Sequence, residues 1–171
     1  GMALDERADR ELGREALGQG HPLGHQGDLE GARDQAMFMT LLDTGCRASE
    51  FVALNIGDLN LRSGRVLVRQ GKGNKDRVTM LCAAVMPTLQ AHLEGVRELH
   101  KADLTAGLGR VALPDAIARK YPNANREFGW QWVLPASRIC TDPRFGPPHR
   151  FHLHESVPQR AIHEAARKAG M

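Results

Sequence analysis

Residues 43–50, which read Asp-Thr-Gly-Cys-Arg-Ala-Ser-Glu, constrain the fold more than any other part of this chain. The apolar residues before them recur at helical spacing and predict a buried helix over residues 29–42, which Gly45 would end at a C-cap position. A short second helix over residues 48–54 would follow at once. Arg47 would then lie in the turn between two helices, where its planar guanidinium and the helix N-terminal amides can bind one phosphate.

Three strands and a long helix should follow this turn. Residues 59–61, 65–69 and 77–81 alternate apolar and polar side chains, as half-buried strands do, and predict a small antiparallel sheet. Residues 83–100 then carry apolar side chains at steps of three and four, which predicts an amphipathic helix with Pro87 in its first turn. We assign the apolar side of that helix to the core.

The loop before the third strand, residues 70–76, contains two glycines and two lysines. Gly71 and Gly73 allow the backbone to turn tightly and to bring Lys72 close to a ligand. Residues 62–77 hold six cationic side chains and one acidic side chain, which is the charge expected of a phosphate-binding hairpin. A solvated hairpin face has the same composition, so charge alone leaves both interpretations open.

The arginine turn and the basic hairpin resemble the first arginine box and the hairpin lysine of the tyrosine recombinases, which include the phage and integron integrases and their Xer relatives. The resemblance implies an α+β fold: the mainly helical front half of a catalytic domain, with a small three-stranded antiparallel sheet. It also implies a reaction in which a tyrosine attacks DNA, a 3′-phosphotyrosine forms and arginines stabilise the charge on phosphorus, without a metal or other cofactor.

The resemblance implies roles for individual residues. Arg47 would be catalytic, Lys72 would protonate the departing 5′ oxygen, and Lys75 and Arg77 would bind the DNA backbone. Glu50 lies three residues after Arg47 on the same helical face, so it could hold the Arg47 guanidinium in place as a supporting residue. The alternative for these two residues is a surface pair of little energetic value.

Residues 103–135 resemble the extra segment that separates integron integrases from other tyrosine recombinases. A short basic helix is predicted over residues 115–120, between two prolines. In that family the segment contacts bases flipped out of a folded single strand, which need flat apolar surfaces with cations beside them. Trp130 and Trp132 would share one face if their segment is extended; the alternative for either tryptophan is that it only anchors the segment to the core.

Residues 143–156 resemble the integron segment that usually carries two arginines and then two histidines. Here His149 and Phe151 replace one arginine and one histidine, whereas Arg150 and His152 remain. The histidines and Cys140 lack the close paired spacing that is typical of structural zinc sites, so we expect no metal. The residues that we expect to contact DNA are Lys75, Arg77, Arg69, Arg119, Lys120, Trp130, Trp132, Arg150 and His152.

In the resembled family the catalytic residues continue with a His-x-x-Arg box and a tyrosine nucleophile near the C-terminus. This sequence contains no His-x-x-Arg box, and its single tyrosine is Tyr121. We therefore expect a truncated recombinase catalytic domain over residues 31–171, preceded by an acidic helix and a glycine-rich linker within residues 1–30. Two functions remain open. The chain is either a fragment of an integron-type recombinase with incomplete catalysis, or a non-catalytic DNA-binding or protein-interaction module derived from the same fold.

Charge and cysteine content indicate the partner and the compartment. Residues 1–34 hold eight acidic residues and four arginines and so carry −4, which leaves +7 for the rest of a chain whose net charge is +3. The family resemblance implies DNA as the partner, either a duplex or a folded single-stranded site, and a positive remainder is compatible with it. Three widely spaced cysteines and the lack of a long apolar run lead us to expect a cytoplasmic protein.

A final helix is predicted over residues 156–168, with Ser156 as its N-cap and Gly170 as its stop. If later helices of the family are missing, the apolar sides of this helix and of the helix over residues 83–100 lack partners. Large apolar patches are rare on soluble monomers, so we expect self-association into a dimer or a higher oligomer.

Overall fold

The computed structural model describes residues 26–71, 73–141 and 148–170. The predicted acidic helix, most of the predicted linker and Lys72 lie outside the described residues. Short 3-10 turns occur at Ile56–Asp58, Ala124–Arg126 and Phe128–Trp130. The helices and strands, in chain order, are α1 (Gln26–Thr44), α2 (Ala48–Val52), β1 (Leu59–Asn60), β2 (Arg65–Val68), β3 (Arg77–Met80), α3 (Met86–Thr105), α4 (Asp115–Lys120), β4 (Pro135–Cys140), β5 (His149–His152) and α5 (Ser156–Lys168).

The turn between α1 and α2 forms as predicted. Gly45 has a φ of 61°, in the left-handed region, and its N–H donates to the Leu41 carbonyl oxygen over 3.1 Å, which closes the last turn of α1. Helix α1 begins at Gln26, inside the predicted linker, and α3 extends to Thr105, five residues past its predicted end. The extension brings Asp103 into the interior, where its carboxylate is paired with Arg150.

The predicted α+β class and the three-stranded sheet are confirmed. The sheet is antiparallel in the order β1-β2-β3, and Val66 lies opposite Thr79 in its register. Val66 and Val68 are fully buried, so one face of the sheet covers the core. Strands β4 and β5 form a separate antiparallel pair. The two sheets therefore lie on different parts of a mainly helical domain.

The core gathers apolar side chains from elements that are far apart in sequence. Met37 of α1, Phe51 of α2 and Leu89 of α3 are essentially inaccessible to solvent and belong to one cluster with the buried valines of β2. Val133 and Leu134 join it just before β4, and His92 Nε2 lies 2.8 Å from the Val133 carbonyl oxygen. Burial lowers the pKa of His92, against the opposing effect of this hydrogen bond. The cluster fixes α2 relative to the sheet.

Helix α5 is partly covered. Val157 and Ala161 pack against the core, and α5 contacts α1 and α2, whereas Ile162 remains 48% exposed. Leu89, Leu93 and Val96 of α3 are buried. The prediction that the apolar side of α3 lacks a partner is therefore wrong, because β2, α1 and the segment before β4 cover it. In α5, Ile162 is the one large apolar residue that lacks a covering partner among the described residues.

The start of α5 also differs from the prediction. Glu155 occupies the N-cap position, and Ser156 is already the first helical residue. The Ser156 N–H donates to His154 Nδ1 over 3.2 Å, so a histidine ring satisfies one of the free amides of the first turn. Gly170, with a φ of 76°, follows the helix end as predicted. Across the described ranges, every helix is too short or too polar to cross a bilayer.

Candidate functional site

The arginine turn is held to the sheet by its neighbours. Arg47 has an extended backbone and its side chain is exposed directly before α2. The carboxylate of Asp43 accepts the Cys82 N–H over 2.6 Å, just beyond β3, and the Thr79 hydroxyl donates to the Thr44 carbonyl oxygen over 3.3 Å. Both contacts join the end of α1 to the region of β3. The position of Arg47 is therefore set by the sheet as well as by the Gly45 cap.

Glu50 binds Arg77 rather than the guanidinium of Arg47. Arg77 Nη1 donates to Glu50 Oε1 over 2.9 Å, and Nη2 donates to Oε2 over 2.7 Å, a two-pronged pair. Glu50 Oε2 also accepts the backbone N–H of Arg47 over 2.9 Å. The predicted contact between the Glu50 and Arg47 side chains does not form, because the Arg77 guanidinium binds both oxygens of the Glu50 carboxylate. Glu50 instead accepts a hydrogen bond from the Arg47 backbone.

This pair is reflected in the pKa values of both groups. Hydrogen bonds from Arg77 lower the pKa of Glu50 to about 2, although burial acts in the opposite direction; the Arg47 N–H and the charges of both arginines add to the lowering. The pKa of Arg77 is raised, chiefly by the same hydrogen bonds. Only 8% of the Glu50 side chain is exposed. Glu50 is therefore a carboxylate throughout the physiological range.

An open cleft of about 290 Å³ lies between the arginine turn and the hairpin. Its lining consists of Gly45, Arg47, Glu50, Lys75 and Arg77. Three cationic side chains against one carboxylate leave a net positive charge. Among the residues that the structure describes, the Arg47 guanidinium forms no ion pair. The cleft is therefore suited to an anion that presents oxygen atoms to Arg47 and Lys75.

The hairpin loop has a defined backbone. The Gly71 N–H donates to the Lys75 carbonyl oxygen over 3.0 Å, and the Asn74 N–H donates back to the Gly71 carbonyl oxygen over 2.9 Å. Gln70 and Asn74 both have a positive φ, of 49° and 57°, which is uncommon for residues other than glycine. Asp76 Oδ1 accepts the Gln70 N–H over 2.9 Å and supports that conformation. These bonds hold Lys75 at the cleft.

Besides Arg77, two other arginines that we expected to contact DNA are engaged in ion pairs. Arg69 Nε donates to Oδ1 of the buried Asp58 over 2.7 Å, while the Arg69 side chain stays 56% exposed. Arg150 is more deeply enclosed, with 14% of its side chain exposed. Its Nε and Nη2 donate to the Asp103 carboxylate over 2.7 and 2.8 Å, and Nη1 donates to the carbonyl oxygens of Ala136 and Ser137 over 2.8 and 2.7 Å.

The two tryptophans do not share a strand face. Trp130 ends a 3-10 turn, and its carbonyl oxygen accepts a hydrogen bond from Asn55 Nδ2 over 2.7 Å. Trp132 lies edge-on to Phe151 and His152 of β5, with ring centroids 5.5 and 4.9 Å apart. The condition for a shared face, an extended segment, is not met because the backbone turns at residues 128–130. Trp132 and His152 are nevertheless adjacent, at the β4–β5 pair.

The basic end of α4, within the segment of residues 103–135, is open to solvent. Arg119 and Lys120 are exposed at the end of α4, and Tyr121, which follows them, is 52% exposed. Lys120 Nζ lies 5.2 Å from the centroid of the Tyr121 ring, within reach of a cation–π contact. These residues lie outside the lining of the cleft. In the described part of the chain, no group of three or more His, Cys, Asp or Glu side chains is arranged to hold a metal ion.

Sequence reasoning missed the acidic partners of the basic residues. Asp103 lies 47 residues before Arg150, and Glu50 lies 27 residues before Arg77. Neither separation is a helical or strand repeat, so no local pattern could have paired them. The resemblance to the integron segment pointed to residues 149–152 but could not tell a structural arginine from one that contacts DNA.

Comparison with known proteins identifies the family. The phage integrase family matches residues 25–171, and the chain therefore belongs to that family. An "Integrase/recombinase" from Escherichia coli and another from Pseudomonas aeruginosa are each 40% identical over 146 residues, which is 85% of this chain and 43% of the relative. The "Tyrosine recombinase XerD" of Staphylococcus saprophyticus is 39% identical over 69 residues, or 40% of this chain and 23% of the relative.

The chain thus spans less than half the length of the curated relatives it matches. Among solved structures, the crystal structure of XerA recombinase aligns with 90% of this chain. The alignment covers 46% of the XerA chain, with 19% sequence identity and a TM-score of 0.43.

Proposed function

We propose that this chain supplies the first arginine and the basic hairpin of a DNA strand-transfer site in a tyrosine recombinase. The observation that carries the proposal is the exposed Arg47 guanidinium in a positively charged cleft shared with Lys75. Because the Glu50 carboxylate accepts both prongs of Arg77, the Arg47 guanidinium has no bound counter-ion among the described residues. The 40% identity to two proteins described as integrase/recombinase supports DNA as the substrate.

Arg47 would act on the phosphate at which the strand is cut. Attack on phosphorus places additional negative charge on its equatorial oxygens, and a fork of N–H donors can bind two of them at once. Lys75 would add a second positive charge beside the same phosphate. The resemblance assigns protonation of the leaving 5′ oxygen to Lys72, which lies outside the described residues.

We further propose that the DNA site is of the integron type, a folded single strand with unpaired bases. The exposed Arg119, Lys120 and Tyr121 at the end of α4 support this proposal, because a cation beside an aromatic ring can receive a flipped base and its phosphate. Trp132 and His152 offer a second aromatic surface at the β4–β5 pair.

Fluorescence anisotropy with labelled DNA tests the integron-type site. The probe is a hairpin with two unpaired bases, and the comparison is the same hairpin without them. We expect the chain to bind the bulged hairpin more tightly, and expect a Tyr121→Ala variant to lose that preference by roughly tenfold, the value of about one stacked base. Equal affinity for both hairpins would contradict the integron-type site while leaving general DNA binding intact.

A non-catalytic DNA-binding module is the second candidate, and one observation favours it. Tyr121 is the single tyrosine of the sequence, and it lies outside the lining of the cleft. Complementation on a nicked suicide substrate separates the two functions. The chain alone should trap no covalent adduct in either case, but a chain that supplies part of a strand-transfer site should do so when a recombinase segment carrying the nucleophilic tyrosine is added, and a binding module should not.

A further inference from the structure

The Glu50–Arg77 pair lies under a glycine that leaves room for it. A Cβ added at Gly71 would lie 2.7 Å from Arg77 Nη1 and 3.1 Å from Glu50 Oε1. Such a separation is shorter than van der Waals contact, so the tip of Arg77 would have to move away from the carboxylate. The backbone φ of Gly71 is not in the left-handed region, so its lack of a side chain is explained by this contact and not by backbone strain.

Three contacts connect the two sides of the cleft through this pair. Glu50 Oε2 accepts the Arg47 N–H on the α2 side, and both carboxylate oxygens accept Arg77 on the β3 side. Gly71, which covers the pair, bonds through its own N–H to the carbonyl oxygen of Lys75. Hydrogen bonds therefore join Arg47 to Arg77 through Glu50, and Gly71 to Lys75, while close packing of Gly71 against the tip of Arg77 connects the two sets.

We infer that Glu50, Arg77 and the missing side chain at Gly71 form a positioning device that fixes the distance between Arg47 and Lys75 across the cleft. Arg77 then serves the DNA phosphate through its position and not as a direct backbone clamp, which revises the role that the resemblance implied. This inference rests on the proposed function, because it assumes that Arg47 and Lys75 bind one DNA phosphate.

The direction in which Glu50→Gln changes DNA affinity distinguishes a positioning role for Glu50 from simple repulsion of DNA. Glu50 is an anion at the edge of a cleft that would bind an anion, so its charge alone opposes DNA binding. If Glu50 only repels DNA, Glu50→Gln should tighten binding. If it positions the cations, Glu50→Gln should weaken binding roughly tenfold, the lower range for the loss of a hydrogen-bonded charge.

Gly71→Ala is a mild way to break the pair. The atom nearest to its methyl group is the far end of a flexible side chain, and the Lys75 carbonyl oxygen, 3.2 Å away, must give by a few tenths of an ångström at most, so folding should be little affected. Gly73→Ala is the matched control in the same loop: Gly73 has a φ of 74°, and no atom of the described residues lies within 4 Å of its added Cβ, its chain neighbours aside. The control strains the loop backbone without touching the pair.

The closing experiment combines two readouts on wild type, Glu50→Gln, Arg77→Ala, Gly71→Ala and Gly73→Ala. Anisotropy with hairpin DNA should show a loss of roughly tenfold for Glu50→Gln, Arg77→Ala and Gly71→Ala, and no further loss when Glu50→Gln and Arg77→Ala are combined. Tighter binding by Glu50→Gln, or additive losses in the double variant, would overturn the inference. Wild-type affinity in Gly71→Ala would overturn the role of Gly71. Gly73→Ala serves as the control for the NMR readout, because Gly73 itself shapes the turn that carries Lys72.

The second readout needs no DNA. Carbon NMR of the Glu50 carboxyl, which faces Arg47 and Arg77, should show it ionised at about pH 3.5 in wild type and in Gly73→Ala, and mostly protonated in Gly71→Ala. A protonated Glu50 in wild type would overturn the pair itself. If wild type fails to bind DNA while the NMR result holds, the proposed function fails and the pair stands as a structural contact alone.

Discussion

Replacing Arg150 should destabilise the protein far more than it affects DNA binding by the folded state. Arg150→Met replaces the arginine with an apolar side chain of similar length and removes the four hydrogen bonds that Arg150 donates to Asp103, Ala136 and Ser137. It leaves the Asp103 carboxylate, of which 11% is exposed, without its cation. Breaking one side of a buried ion pair costs about 3–5 kcal/mol of unfolding free energy.

Urea unfolding, followed by circular dichroism, measures this loss of unfolding free energy. Thermal unfolding gives a second measure: for a domain of this size, each kcal/mol lowers the melting temperature by roughly 2–4 °C, so the variant should melt roughly 6–20 °C below wild type. Arg150→Met/Asp103→Leu should recover much of the loss, because an apolar pair of similar volume removes the unpaired charge. Lys101→Met is the matched control, since the Lys101–Glu98 pair is exposed on both sides and should cost at most about 1 kcal/mol.

The opposite pattern would refute this reasoning. If Arg150→Met unfolds at the wild-type urea concentration and instead binds DNA with a smaller salt dependence, Arg150 is a free DNA contact as the family resemblance implied. The pair with Asp103 would then be incidental.

Three further predictions concern the site. Because the folded pKa of Glu50 is about 2 against an unfolded value of 4.5, its contribution to stability is present above pH 4.5 and is lost as the pH falls from 4.5 to 2; Glu50→Gln should flatten that part of an acid-unfolding curve. Gly45→Ala should cost about 1 kcal/mol in urea unfolding, because its φ of 61° strains any side chain even though the space is open. The chain should form no covalent adduct with nicked DNA, and a denaturation-resistant band abolished by Tyr121→Phe would contradict this.

The features that sequence predicted well are set by residues close together in the chain. The Gly45 cap, the alternation in residues 59–81 and the helical spacing in residues 83–100 each act within one or two turns of backbone, and each forms within a few residues of its predicted bounds. Asp103 shows the limit of local patterns: the helix continues beyond the predicted end at residue 100, and this added turn carries the carboxylate that pairs with Arg150.

The features that sequence missed depend on contacts between distant segments. The partner of Glu50 is decided by where β3 lies against α2, and local helical spacing pointed to Arg47 instead. The turn at Phe128–Trp130 is likewise fixed from outside, because Asn55 binds the Trp130 carbonyl oxygen and Asn55 pairs with Trp132 as an isolated bridge. No pattern within residues 124–135 contains that information.

The salt dependence of DNA affinity with and without the Arg47 guanidinium tests the central claim most directly. Anisotropy titrations of wild type, Arg47→Ala and Arg47→Lys over a range of salt give the number of phosphate contacts, since each one changes the slope of log affinity against log salt by about 0.7–0.9. Lys101→Ala, which removes one exposed charge away from the cleft, controls for net charge.

We predict that Arg47→Ala lowers both the affinity and the slope by about one contact, that Arg47→Lys keeps the slope but loses affinity because an ammonium cannot fork, and that Lys101→Ala resembles wild type. Identical slopes for wild type and Arg47→Ala would contradict the account, because the exposed guanidinium would then lie away from any DNA phosphate.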